Sequence, residues 1–280
     1  MGTPGGDVRA WGPMRGKTVV ITGASSGIGE ELAVALAARG AHVVLAARDE
    51  AALARVKQRC EQAGGRALVV PTDVSDPEAC RRMVERSVAE LGGIDALVNN
   101  AGMAMRGRFE DVTDLSIFER LMRVNYLGAV YCTHHALPHL KARRGLVVAI
   151  SSLTGKSGVP GRTGYAATKH AMQGFFDSLR IELLGQGVDV LVVSPGFVAT
   201  PIRARAVGPD GRTGHEDIAE EQGRRMMDAP TCADLILRAM ERREREVVMI
   251  PAAKLMLALK ALVPGVVDRI ASRMIKQVRP

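Results

Sequence analysis

Short aliphatic runs recur along the chain at intervals that leave room for a helix between them. Residues 17–22, 42–47, 67–70, 96–98, 146–150, 188–193 and 247–250 are rich in Val, Leu, Ile and Ala and have strand length. Between them apolar positions fall at helical spacing: in 28–39 with Leu32, Ala35 and Leu36, and in 50–63, 77–91, 115–140 and 164–184. Unbroken apolar runs, rather than alternating ones, predict strands buried on both faces. Strands alternating with helices of this length predict right-handed βαβ units. The expected fold is α/β, a doubly wound parallel sheet of seven strands in a single domain.

Local boundary signals agree with that division. Gly40 stops the first helix, Asp76-Pro77 caps and opens the third, and Gly64-Gly65 and Gly92-Gly93 lie between elements. Neither an internal repeat nor a Pro/Ser-rich linker divides the chain. Residues 1–15, rich in Gly and Pro and without an apolar run of signal-peptide type, read as a flexible lead-in to a catalytic domain over 16–251. Within it, 196–228 is the least regular stretch, where a substrate loop of an open sheet would fall. Residues 252–280 carry Leu255, Leu259 and Leu262, then Val267, Ile270, Met274 and Val278 at helical spacing, divided by Pro264-Gly265. They predict a C-terminal amphipathic helical extension.

Composition narrows the picture. Aromatic residues make up 3% of the 280-residue chain, so its core must be aliphatic. Cys60, Cys80, Cys132 and Cys232 are scattered, with no C-x-x-C pair or nearby His at ligand spacing. Reduced thiols in a cytoplasmic protein without a metal site are expected. The net charge of +8 comes without a recognition module or basic residues interleaved with aromatics, which argues for a solvated basic surface rather than nucleic-acid binding. From Lys254 onward six basic residues face one acid, Asp268. That basic extension is too short and too charged to span a bilayer. It suits packing on the body or a partner subunit, or peripheral contact with an anionic membrane surface.

Two regions carry chemistry. The first strand runs into Thr22-Gly23-Ala24-Ser25-Ser26-Gly27-Ile28-Gly29, and a helix follows at once. Such a turn lets backbone N–H groups and a positive helix end approach a pyrophosphate. Arg48 closes the second strand, where an acid would bind the ribose 2′-hydroxyl of NAD(H) and an Arg would pair with the 2′-phosphate of NADP(H), so NADP(H) is favoured. Further on, Tyr165 and Lys169 share one face of a helix at i and i+4. A cation beside a phenol favours the phenolate and makes proton exchange feasible. Ser152, just past the fifth strand, could orient a carbonyl.

Taken in order, Thr22 to Gly29, Asn99-Asn100-Ala101-Gly102, Asn125, Ser152, Tyr165-x-x-x-Lys169 and Pro195-Gly196 resemble the short-chain dehydrogenase/reductase family over about residues 16–250. The resemblance implies a Rossmann-type sheet and hydride transfer between a nicotinamide and a carbonyl or secondary alcohol. It implies that Tyr165 is the general acid/base, that Lys169 lowers its pKa and bonds the nicotinamide ribose, that Ser152 polarises the substrate oxygen, and that Asn125 holds a relay water. Cofactor contacts are implied for Gly23, Ser25, Ser26, Gly27, Ile28, Gly29, Arg48, Asp73, Val74, Asn99, Ala101, Gly102, Tyr165, Lys169, Pro195, Gly196, Val198 and Thr200. Met103, Met105, Leu153, Val159, Phe197 and the 198–228 loop would face the substrate, with Arg203 and Arg205 of that loop either weakening its apolar character or solvated. These mostly apolar residues favour a lipophilic ketone, aldehyde, steroid-like or lipid-like substrate. A homodimer or homotetramer through 115–140 and 164–184 is expected. The alternatives are an NAD-dependent alcohol dehydrogenase of the same family and a catalytically silent NADP(H)-binding sensor or scaffold.

Overall fold

Each aliphatic run forms a strand, and the strands lie parallel in one sheet. The computed structural model describes residues 14–213 and 226–272. Strands β1 (Thr18–Thr22), β2 (His42–Ala47), β3 (Arg66–Pro71), β4 (Ala96–Asn99), β5 (Leu146–Ile150), β6 (Asp189–Ser194) and β7 (Glu246–Val248) stand in the order β3-β2-β1-β4-β5-β6-β7. Registers are regular, with Thr18 opposite His42, Val19 opposite Ala96 and Leu146 opposite Asp189. Every residue of β1 and β5 is buried, because helices cover both faces.

One face carries α1 (Gly27–Ala38), α2 (Glu50–Gln62) and α7 (Ala229–Glu241), which bury Leu32, Leu36, Leu53, Val56, Ile236 and Leu237 against the sheet. The other carries α3 (Pro77–Leu91), α5 (Gly128–Arg143) and α6 (Thr163–Glu182), with Met83, Cys132, Leu140 and Phe176 at its core. Asp49 caps α2 by accepting from the Ala52 N–H at 2.9 Å, and Asp76 caps α3 by accepting from Glu78 N–H at 2.9 Å. Gly92 ends α3 in the left-handed conformation at φ 76°.

The structure departs from the expected elements in two places. The single helix over 115–140 is instead α4 (Ser116–Leu121), a π-helical turn (Met122–Leu127) and then α5. A π turn takes up an extra residue and rotates what it carries, here the fully buried Asn125. Helix α7 falls in a stretch for which no helix was expected. Its signals are present: Asp228 accepts from Thr231 N–H at 2.6 Å, Pro230 sits in the first turn, and Cys232, Ala233, Ile236, Leu237 and Met240 form its buried stripe.

Beyond β7, α8 (Pro251–Leu262) and α9 (Pro264–Ser272) continue the chain, separated at Val263. Leu255 is 73% exposed and Leu262 81%, while Val267 is buried. Lys260 Nζ donates to the Lys156 carbonyl at 3.0 Å, tying α8 to the segment after Ser152. Residues 1–13 of the expected lead-in, 214–225 of the expected substrate loop, and 273–280 with Met274 and Val278 lie outside the described residues.

Candidate active site

The strand order reverses between β1 and β4, and in open sheets the crevice beyond such a reversal is where ligands bind. Two turns meet there. Thr22 Oγ1 accepts from the N–H groups of Asn100 (3.0 Å) and Ala101 (3.1 Å), and Asn100 Nδ2 donates to the carbonyls of Thr22 (2.9 Å) and Gly23 (3.1 Å). Gly23 stands at φ 66°, and a Cβ at Gly29 would collide with the Gly23 carbonyl, so the turn needs glycine at both places.

Above the turn opens a cavity of about 530 Å³, within the range of cofactor sites. Gly23, Ser25, Ser26, Gly27, Ile28, Arg48, Asp73, Val74, Ala101, Gly102 and Thr200 line it. A bare glycine cradle at the start of α1 with an arginine at the far strand fits a nicotinamide dinucleotide. Asp49 also lines the cavity, but its carboxylate is engaged in capping α2. Burial would raise the pKa of Asp73; bonds from the Ser75 hydroxyl (2.7 Å) and N–H (2.9 Å) and the charge of Arg48 outweigh it and hold the carboxyl below its usual value.

Other expected contacts stand elsewhere. Asn99 is buried beneath the cavity and donates from Nδ2 to Thr133 Oγ1 at 2.9 Å; Asn100 is the residue that lines the wall. Gly29 packs under the turn, Val198 points into the core, Pro195 is buried with its carbonyl accepting from Leu153 N–H at 3.1 Å, and Gly196 packs against Ile250. Met103 lines the cavity, whereas Met105 is buried with Ile117, Leu121 and Val207. Arg203 is not simply solvated: its guanidinium lies 5.3 Å from the Phe197 ring centroid. Arg205, exposed, lines the cavity.

The second group gathers on α6. Tyr165 packs against the cluster of Met105, Ile117, Leu121 and Val207, and its hydroxyl is hydrogen-bonded to Ser152. Lys169, 4% exposed, lies one turn along with Nζ 5.7 Å from the Tyr165 ring centroid and donates to the Ile150 carbonyl at 2.8 Å. Burial depresses its pKa to about 8. Burial likewise pushes Tyr165 upward, against the lowering effects of the Ser152 bond and the Arg162 charge.

Asn125 joins the two groups. Its Oδ1 accepts from Met103 N–H at 2.7 Å, and its Nδ2 donates to the Met103 carbonyl (3.0 Å) and to Thr168 Oγ1 (2.9 Å). Thr168 in turn donates to the Tyr165 carbonyl at 2.8 Å. Thr168 was not singled out from the sequence; its place inside Tyr165-x-x-x-Lys169 was the available signal. The Asn125 amide thus fixes the cavity wall and the tyrosine helix in one network.

A dinucleotide crevice beside a half-buried tyrosine, with a buried lysine one turn along and a serine at the phenol, defines a nicotinamide-dependent oxidoreductase of alcohol and carbonyl groups. Residues 17–209 match the family model described as short chain dehydrogenase. The chain belongs to the short-chain dehydrogenase/reductase family. It is 42% identical over 210 residues to the 11-beta-hydroxysteroid dehydrogenase-like 4A protein of Arabidopsis thaliana, covering 75% of this chain and 67% of that one. Over 276 residues it is 39% identical to dehydrogenase/reductase SDR family member 7B of Bos taurus, covering 94% and 83%. The 11-beta-hydroxysteroid dehydrogenase of Pinus massoniana is 37% identical over 219 residues, covering 78% and 60%.

Proposed function

We propose that this protein is an NADPH-dependent carbonyl reductase acting on a lipophilic ketone or aldehyde of steroid-like or lipid-like type. The observation that carries the reading is Tyr165: a half-buried phenol hydrogen-bonded to Ser152, against an apolar cluster, with Lys169 Nζ 5.7 Å from its ring centroid. A phenol is protonated at neutral pH, so Tyr165 can give a proton to a carbonyl oxygen in reduction and, as phenolate, take one back in oxidation. A bound nicotinamide would supply the hydride to the carbonyl carbon. Ser152 holds the carbonyl oxygen, and Tyr165 gives that oxygen its proton, leaving an alcohol and a phenolate. Lys169, one helical turn away, stabilises the phenolate until a proton returns from solvent. Asn125 keeps Met103 and the tyrosine helix in register, and a proton relay there would use its backbone, since its amide is engaged.

The lipophilic substrate is supported by Met103 in the cavity wall and by relatives whose names specify hydroxysteroids. NADPH consumption against a panel of ketones, aldehydes and steroids, with NADH in parallel, tests the whole reading. Binding of NADPH with no turnover on any of them would favour a silent sensor instead.

Preference for NADPH rests on Arg48, which lines the cavity while its acidic neighbour Asp49 is engaged in capping. Arg48→Ala is expected to weaken NADPH binding about tenfold, the worth of a charge-assisted contact, and to leave NADH binding within a factor of two. Equal losses for both cofactors would refute the assignment.

The reading also includes a cytoplasmic homodimer or homotetramer formed through residues 115–140 and 164–184. Among the described residues no helix is long and apolar enough to cross a membrane. Exposed Leu255, Leu262, Val266 and Ile270 beside Lys254 and Arg269 favour peripheral contact of α8 and α9 with an anionic bilayer. Co-sedimentation with phosphatidylserine vesicles is expected to fall at high salt and to be lost on deletion of 252–280. Sedimentation that survives the deletion would reject that role for the extension.

A further inference from the structure

The segment after Thr200 reaches the dinucleotide cavity from the side opposite in sequence to the glycine turn. Thr200, Pro201, Ile202, Arg205 and Thr213 line the cavity together with Ser25, Ser26 and Gly27. Thr200 stands on the turn, its methyl 3.0 Å from where a Cβ on Gly27 would lie. The chain then winds instead of extending. Arg205 N–H donates to the Pro201 carbonyl at 3.1 Å and Ala206 N–H to the Arg203 carbonyl at 3.1 Å, which keeps Arg205 close to the turn.

Beyond it the segment is pinned. Val207 bridges to Met105, with Val207 N–H donating to the Ala104 carbonyl at 2.9 Å and Arg106 N–H to the Val207 carbonyl at 2.9 Å. Arg205 is thus a cation on a backbone anchored at both ends, and it forms no ion pair with another described residue.

Charge points the same way. Among the described residues, Arg48, Asp49, Asp73 and Arg205 are the charged side chains of the cavity wall. Without Arg205 two carboxylates would face one cation, a poor field for a ligand carrying a doubly charged pyrophosphate. We propose that Arg205 is the substrate loop's own contact to the cofactor, a cation for the pyrophosphate, while Arg48 serves the adenosine end. This rests on the family's nicotinamide dinucleotide and is independent of the choice between NADPH and NADH.

The test measures binding to the full-length protein by the fluorescence of NADPH and NADH, with inorganic pyrophosphate as competitor. Arg205→Gln is expected to weaken both cofactors by a similar factor, about tenfold, and to make pyrophosphate a poorer competitor. Arg205→Lys should retain part of the affinity, and the thermal midpoint of both variants should stay at the wild-type value because the side chain is exposed. Unchanged affinities in Arg205→Gln would overturn the proposal. So would a loss confined to NADPH, which would put the cation at the 2′-phosphate. Wild-type protein that binds neither cofactor would instead overturn the dinucleotide reading beneath it.

Discussion

Tyr165→Phe is expected to lower kcat for carbonyl reduction by about 10²–10⁴-fold, the range of a lost general acid, while NADPH still binds with wild-type affinity. The substitution deletes the hydroxyl and leaves the ring, which is what packs against Met105, Ile117, Leu121 and Val207. The Ser152 bond is lost, but so is the cost of holding a hydroxyl in that apolar setting, so stability should change by less than about 1.5 kcal/mol. Single-turnover measurement separates the two effects, since it reports chemistry on already bound cofactor. A variant that retained more than a tenth of the wild-type rate would rule out Tyr165 as the proton donor.

Lys169→Met should be nearly as damaging, about 10²-fold or more in kcat/KM, because no cation is then held beside the phenolate. It also has a pH signature. In the wild-type protein kcat/KM for reduction is expected to fall above about pH 8 as Lys169 loses its proton, and that limb should be missing in the variant. Stability has a defined sign as well. The folded pKa of Lys169, about 8, lies below its ordinary 10.5, so the unfolded chain binds more protons between those values. The burial penalty on the charged amine is therefore fully present below pH 8 and is relieved as pH rises towards 10.5. Urea midpoints at pH 7.5 and 9.5 should show the wild type gaining on the Met variant over that interval. A constant difference would mean that Lys169 titrates as an exposed lysine does.

Much of the architecture was legible because it rests on near neighbours. The seven strands follow from unbroken aliphatic runs, and caps such as Asp49 and Asp76 act on an N–H two or three residues away. The glycine turn was legible for the same reason, since strand, glycines and helix are consecutive. Helix α7 was legible too, and its missing place in the expected fold was an oversight of the pattern rather than a silence in it. The π turn at Met122–Leu127 is different: apolar spacing across 115–140 reads as one helix, and what fixes the break in place is the Asn125 amide bonding to Met103 and to Thr168, 43 residues on.

The sequence by itself determined the seven strands, most of the helices between them, their parallel arrangement and the family, because those depend on periodicity, caps and motifs that are local or ordered along the chain. Tertiary structure alone decided which of two adjacent asparagines lines the cavity, that Arg205 turns into it, and that burial raises the Tyr165 pKa although charges nearby lower it. Those outcomes depend on what packs against a group from distant parts of the chain. Desolvation and long-range hydrogen bonds leave no period in the sequence from which to read them.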